Sequence, residues 1–345
     1  MLTSEFAYDL PQELIAQHPI EPRDASRLMV VDRGTGALAH RSFRDILGYL
    51  RPGDLLIANE SRVIPARLHA RKVPTGGHVE LLLLSRRDPL RWEALVKGRT
   101  FSPGQRFQII AAGTEAGVGG EVEEMAESGG RLLRFDEPLE PFLRTAGETP
   151  LPPYIHEHLE DAERYQTVYA RVDGSVAAPT AGLHFTPELI HALEAHGVEW
   201  GWVLLHIGLD TFRPVTERIA EEHRIHSEYC CLTAETAERI NAARAAGRRV
   251  VAVGTTAVRV LETAAAAAKD PGRVAPWEGH TRLFITPGYR FQVVDALITN
   301  FHLPCSSLLM LVSAFAGLGL VREAYRLAIA ERYRFYSFGD SMLIL

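Results

Sequence analysis

RLHARKVPTGGHVELLLLSRRDPLRWEALVK, residues 67–97, holds three short β-like runs separated by turn residues, with no room for a long helix between them. The rhythm continues as RFQIIAA (106–112), EVEEM (121–125) and RLLRF (131–135), which makes six such runs in all. The breaks between them, PTGG, RRDPL, GRTFSPGQ, GTEAGVGG and AESGG, are rich in the glycine, proline and aspartate of tight turns. Short strands at this spacing predict a small barrel or sandwich.

On both sides of this segment the pattern changes to alternating strands and helices. Residues 28–31 and 55–58 read as buried strands. Between them Ser42, with Asp45 three residues on, opens a helix whose Phe43, Ile46, Leu47 and Leu50 share one face. After residue 137 the alternation resumes. Thr186 caps a helix with Pro187 at its first position and Gly197 at its end, and a strand at 198–205 follows. Thr233 caps a helix reaching Gly247. A strand at 250–253 runs into Gly254-Thr255-Thr256 and a helix from Ala257. An amphipathic helix is expected at 322–333. The reading is an α/β main domain, residues 1–62 and 137–345, interrupted by an inserted small β domain at 63–136.

With 345 residues and 46% hydrophobic content the chain has enough material for one large core or two ordinary ones. A charged fraction of 23% excludes a disordered or collagen-like chain, and a formal net charge of −6 excludes a general nucleic-acid glue. Cys230, Cys231 and Cys305 form no CxxC pair, which suits a reducing compartment. The start, MLTSEFAYDLPQELI, has no basic segment followed by an apolar one, so a cytoplasmic protein is expected. ALITNFHLPCSSLLMLVSAFAGLGLV, residues 296–321, is the most apolar stretch, but Pro304, Ser306 and Ser307 interrupt it. A membrane helix needs roughly 18 unbroken apolar residues. This stretch reads instead as a strand at 293–298, a turn with Thr299, Asn300 and His302, and a buried helix. Ser306 or Ser307 caps that helix and Gly317 stops it.

Polar residues cluster where strands end. VVAVGTTAVRVLE, 250–262, places the Thr255 and Thr256 hydroxyls and free helix N–H groups at a strand-to-helix turn, with Arg259 one turn inside. Such a turn is either an ordinary cap or a cradle for a phosphate or carboxylate. It is not a P-loop, because the GxxxxGK[ST] spacing is absent. APTAGLHFTP, 178–187, brings Thr180 and His184 into a turn-rich loop. HIGLDTFRP, 206–214, puts His206 and Asp210 beyond another strand, and Asn300 and His302 follow a third. Ligands of open α/β sheets bind beyond the carboxyl ends of strands, so these loops together predict a cleft along one edge. EEHRIHSEYCC, 221–231, contains the zinc-capable His223, His226, Cys230 and Cys231, but their spacing matches no ligand pattern, and no metal is expected. Glu228 and Tyr229 in that stretch are read as acid–base or hydrogen-bonding groups. Arg62, Arg67, Arg71 and Lys72 form a basic run that is either a solvated face or a phosphate-tracking one.

Long ordered blocks identify a resemblance that runs nearly end to end. They are YDLPQELIAQHP (8–19), RVIPARL (62–68), LPPYI (151–155), YQTVYA (165–170), AAPTAGLHFT (177–186), HSEY (226–229), VAVGTTAVRVLE (251–262), TNFHLP (299–304), LMLVSAFAG (309–317) and YRFYSFGDSM (333–342). In these the chain resembles the S-adenosylmethionine:tRNA ribosyltransferase-isomerases of the queuosine pathway. The resemblance implies an α/β domain with an inserted six-stranded β-barrel. It implies transfer and isomerisation of the ribosyl part of S-adenosylmethionine onto 7-aminomethyl-7-deazaguanine in tRNA, giving epoxyqueuosine in tRNA, adenine and methionine. S-adenosylmethionine would be a co-substrate, with no recycled cofactor and no metal. A monomer without membrane attachment is expected. His184, His206, Glu228 and His302 are then the candidate catalytic groups, with His226 a further titratable one. Arg62, Arg71, Thr180, Tyr229, Thr255, Thr256, Arg259 and Asn300 are the candidates for substrate binding.

Two departures from the family pattern stand out. Asp210 replaces a glycine of HVGxGTF, and Asn59-Glu60-Ser61-Arg62 replaces NDTR or NNTR. Two other readings compete: a non-catalytic RNA-binding or assembly module on the same fold, and an ordinary methyltransferase. The latter lacks its glycine-rich loop after the first strand.

Overall fold

The computed structural model describes residues 1–98, 101–111, 113–126, 129–208 and 214–345. The chain divides into two compact units, one of residues 1–61, 152–172 and 178–345, the other of residues 62–151 with 173–177.

The first unit is built on a nine-stranded sheet. Numbered in chain order through both units, its strands are β1 (Arg27–Val31), β2 (Leu38–Ser42), β3 (Leu55–Asn59), β13 (Glu199–Leu205), β14 (Glu228–Leu232), β15 (Val250–Val253), β16 (Trp277–Thr281), β17 (Ala296–Asn300) and β18 (Ser341–Ile344). Their order is β16-β14-β13-β3-β15-β17-β18-β1-β2. The central four, β13, β3, β15 and β17, are mutually parallel. Every residue of β3, β15 and β17 is buried, which is why LLIAN, VVAV and ALITN are nearly unbroken apolar runs. On one face Leu56, Ala58, Val251, Val253 and Ile298 form a core with Phe43, Ile46, Phe185 and Leu189.

The helices of this unit are α2 (Pro187–Ala195), α3 (Ala234–Ala245), α4 (Thr255–Ala267), α5 (Ser307–Ala316) and α6 (Leu318–Ala330). Three begin at the expected caps: the hydroxyls of Thr186, Thr233 and Ser306 accept from the N–H groups of Leu189, Thr236 and Leu309 at 3.1, 3.2 and 3.1 Å. Each such cap is worth about 1 kcal/mol. The Ser42 helix is a single 3-10 segment, Phe43–Gly48, whose Asp45 accepts from the Ser42 N–H at 2.9 Å.

Other boundaries move. α4 starts at Thr255 rather than Ala257, so both threonines lie in its first turn. β17 ends at Asn300, so Thr299 and Asn300 are strand residues rather than turn residues. Among the described residues no single helix is long and apolar enough to cross a membrane. α5 and α6 reach that length only together, and they are bent by 114°.

The second unit is a closed antiparallel barrel of six strands, matching the six runs. They are β5 (Arg67–Val73), β6 (His78–Arg86), β7 (Arg91–Lys97), β8 (Arg106–Ala111), β9 (Thr114–Met125) and β10 (Arg131–Phe135). The order β5-β6-β7-β10-β9-β8 closes where β8 pairs back onto β5, Ile109 opposite Ala70. Closure leaves no open sheet edge. Leu68, Ala70, Leu81, Leu83, Phe107, Ile109 and Leu133 are buried within it. Two short strands, β4 (Ser61–Val63) and β12 (Val172–Ser175), pair with each other.

The return to the first unit comes at Pro152 rather than at 137. The intervening residues form α1 (Glu140–Ala146) and β11 (Gly147–Glu148), and β11 adds to the barrel with Gly147 opposite Leu68. A Cβ on Gly147 would sit 2.1 Å from the Pro65 carbonyl oxygen, so only glycine fits this approach.

Candidate active site

Because β3, β13, β15 and β17 are parallel, their carboxyl ends share one edge of the first unit's sheet. β14 runs antiparallel to β13, and β18 runs antiparallel to β17, so their first residues, Glu228 and Ser341, reach the same edge. Between the β15 and β17 ends lies a small cleft open to solvent. Thr180, Thr255, Thr256, Asn300 and His302 line it together with the apolar Ala181, Ile207 and Leu308. Five of the residues singled out from the sequence thus share one pocket, delivered by three separate chain segments.

Gly254 makes the strand-to-helix turn at φ +87°, a conformation that disfavours any side chain. Its N–H donates to the Ile298 carbonyl at 2.8 Å, which ties the start of α4 to β17. No side chain caps α4. Its first-turn N–H groups therefore have no intrahelical or capping partner. The Thr256 hydroxyl is buried and finds no hydrogen-bond partner among the described residues.

His302 lines the cleft with its Nε2 2.7 Å from the Thr299 hydroxyl. Its main chain is clamped on both sides: the N–H donates to the Tyr325 hydroxyl at 2.8 Å, and the carbonyl accepts from Tyr8 at 2.5 Å. Burial pushes the imidazole pKa down to about 3. His184 is not in the cleft wall. It lies behind it, 4% exposed, with Nδ1 2.7 Å from Ser26 Oγ and Nε2 3.2 Å from Asn300 Nδ2. Burial, then the positive charges of Arg334 and Arg23, lower its pKa to about 3. Titration near neutrality, the property that suggests histidine for proton transfer, is therefore lost from both. Each stays a neutral hydrogen-bonding ring at pH 7.

Glu228 and Arg259 do not line the cleft either. They form a buried ion pair with each other. The Glu228 carboxylate also accepts from the Gly208 N–H at 3.0 Å, and Arg259 Nε donates to the Leu283 carbonyl at 3.1 Å. The pair pins the start of β14, which begins within the HSEY block, to the start of the loop after His206. His206 stacks on Tyr229 at 5.7 Å, and the Tyr229 hydroxyl donates to Glu278 at 2.9 Å. Burial, followed by Glu278, raises the Tyr229 pKa to about 12. His226 is exposed. Asp210 lies outside the described residues. Arg62 and Arg71 belong to the barrel unit: Arg71 is exposed on β5, and Arg62 Nε is 3.9 Å from Asp173. Among the described residues no three His, Cys, Asp or Glu side chains are grouped to hold a metal ion.

Sequence reasoning missed Ser26, Tyr8, Tyr325 and Tyr336. Tyr8 and Tyr336 sit inside quoted blocks without a role being legible. Tyr336 is held at φ +70° and its carbonyl accepts from Asn300 Nδ2 at 3.1 Å. Ser26 carries no sequence signal, because its contact with His184 spans 158 positions. Gly182 in the PTAGLH loop has a packing reason: a Cβ there would lie 2.1 Å from the Tyr169 hydroxyl.

The family model described as queuosine biosynthesis protein matches residues 3–344. S-adenosylmethionine:tRNA ribosyltransferase-isomerases of Symbiobacterium thermophilum and Moorella thermoacetica are 58% and 53% identical to the chain, with 100% of each chain covered in both comparisons. A crystal structure of S-adenosylmethionine tRNA ribosyltransferase from Thermotoga maritima superposes with a TM-score of 0.57 at 41% identity, covering 99% of this chain and 100% of that one. Matched almost from end to end, the chain belongs to the queuosine biosynthesis protein family.

Proposed function

We infer that the chain is an S-adenosylmethionine:tRNA ribosyltransferase-isomerase. It transfers and isomerises the ribosyl moiety of S-adenosylmethionine onto 7-aminomethyl-7-deazaguanine in tRNA, with epoxyqueuosine in tRNA, adenine and methionine as products. The observation that carries this reading is one cleft lined by Thr180, Thr255, Thr256, Asn300 and His302 in a chain 58% identical, over its full length, to a curated relative of that name. The non-catalytic module is not favoured, because the curated relatives are named as enzymes.

The chemistry asks for a site poor in cations. The attacking amine of the base must be neutral, and the sulfonium of the co-substrate must be destabilised enough to release methionine. Burial that depresses two imidazoles to about 3 supports such a site, since it penalises an amine cation that no acceptor or counter-charge compensates. In this reading His302 orients and hydrogen-bonds as a neutral ring, His184 positions Asn300, and the Glu228–Arg259 pair holds the cleft's flank. Arg62 and Arg71 are assigned to tRNA phosphates. The same reading takes the enzyme to act in the cytoplasm as a monomer.

Incubation with S-adenosylmethionine and tRNA bearing the aminomethyl base tests the reading. Adenine and methionine in equal amounts are expected, with a matching mass gain in the tRNA. Release of S-adenosylhomocysteine instead would make the chain a methyltransferase.

A further inference from the structure

Among the described residues, two polar atoms of cleft-lining residues find no partner although the residues are more than nine-tenths buried: Thr256 Oγ1 at 9% residue exposure and Asn300 Oδ1 at 2%. The orientation of the Asn300 amide follows from its neighbours. The Tyr336 carbonyl only accepts, so the atom 3.1 Å from it is the amide nitrogen. That nitrogen is also 3.2 Å from His184 Nε2, which must then be the bare ring nitrogen. The ring proton sits on Nδ1 and is donated to Ser26 Oγ at 2.7 Å. Ser26, His184 and Tyr336 thus fix Asn300 with its carbonyl oxygen on the side away from these partners, in a residue that lines the cleft.

β15 and β17 are adjacent parallel strands in register, Val253 opposite Ile298. The strand backbones lie about 4.8 Å apart, so Asn300, with Oδ1 as an acceptor, and the start of α4, with its uncapped N–H groups and the Thr256 hydroxyl as donors, line the same cleft side by side. A phosphate would satisfy the donors and be repelled by the acceptor. A zwitterion with ammonium and carboxylate on one carbon satisfies both.

We propose that the start of α4 and Asn300 form a recognition site for the α-amino-carboxylate end of the sulfonium co-substrate, with the carboxylate on the α4 N–H groups and Thr256 and the ammonium on Asn300 Oδ1. This rests on the functional reading above and assigns the part of the co-substrate that does not react. Thr256 and Asn300 are binding residues, and Ser26 and His184 are positioning residues.

The test is steady-state adenine release with S-adenosylmethionine and with its decarboxylated analogue, which keeps the sulfonium and the ammonium. In the unaltered enzyme KM for the analogue is expected to be at least about tenfold higher, because charge-assisted hydrogen bonds to the carboxylate are lost. Thr256→Val raises KM for S-adenosylmethionine about tenfold, leaves kcat nearly unchanged, and moves KM for the analogue less than about twofold. Asn300→Leu raises KM for both, since both carry the ammonium. Equal KM values in the unaltered enzyme, or an equal shift of both by Thr256→Val, overturn the site while leaving the activity standing. Absence of adenine release from both compounds overturns the functional reading and the site with it.

Discussion

The Tyr8 hydroxyl donates to the main-chain carbonyl of His302 at 2.5 Å, across 294 positions of sequence. Burial raises the Tyr8 pKa far above its ordinary value, so the hydroxyl stays a donor. The bond joins the N-terminal YDLPQELI block to the turn that presents His302 in the cleft. Tyr8→Phe leaves that carbonyl unpaired, at a cost of about 1–3 kcal/mol. The expected result is a stability loss of that size in denaturant melts and a fall in kcat/KM of about tenfold as the His302 turn relaxes. Unchanged turnover would detach the clamp from function.

His184 and His302, with folded pKa values near 3 against an ordinary 6.5, set a pH dependence. The unfolded chain binds more protons than the folded one between those values, so stability rises with pH there. Their contribution is full above about pH 6.5 and is lost as pH falls toward 3. Imidazole C–H resonances of both are expected not to titrate between about pH 5.5 and 8. A midpoint near 6.5 for either would return that residue to acid–base duty.

The Glu228–Arg259 pair is buried, so removing one partner strands a charge. Glu228→Gln is expected to destabilise by about 3–5 kcal/mol, and the double variant Glu228→Gln, Arg259→Met by less. Activity should fall in step with the folded fraction, measured by circular dichroism beside adenine release. A fully folded but inactive Glu228→Gln would put the carboxylate in the chemistry after all.

Arg71 is exposed on β5. If the barrel tracks the tRNA backbone, Arg71→Ala weakens tRNA binding and reduces the slope of log K against log salt by about 1. An unaltered slope in filter-binding titrations would place the tRNA on another surface.

Much of the scaffold was legible because local chemistry dictates it. Thr186, Thr233 and Ser306 cap the helices expected of them, Gly197 and Gly317 take positive φ at the expected stops, and six turn-bounded runs became six barrel strands. β2 was not, since LAHRS pairs along one edge of the sheet with an exposed polar surface and shows no apolar run. The barrel's far boundary was hidden because Gly147 pairs by backbone, which leaves no pattern.

At the site, loop chemistry pointed to Thr180, Thr255, Thr256, Asn300 and His302, and parallel topology brought them together. The sequence did not separate cleft-lining groups from those behind them. His184 and Glu228 have the residue types of catalysts, yet His184 is buried against Ser26 and Glu228 is paired with Arg259, and neither lines the cleft. That distinction depends on long-range contacts, which residue type and spacing do not encode.

The most direct measurement is a crystallographic soak with S-adenosylmethionine. Density for the nucleoside is expected in the cleft between β15 and β17, with its amino-acid end within hydrogen-bond distance of Thr256 and Asn300. Density for the compound elsewhere on the chain, with this cleft unaltered, would contradict that placement.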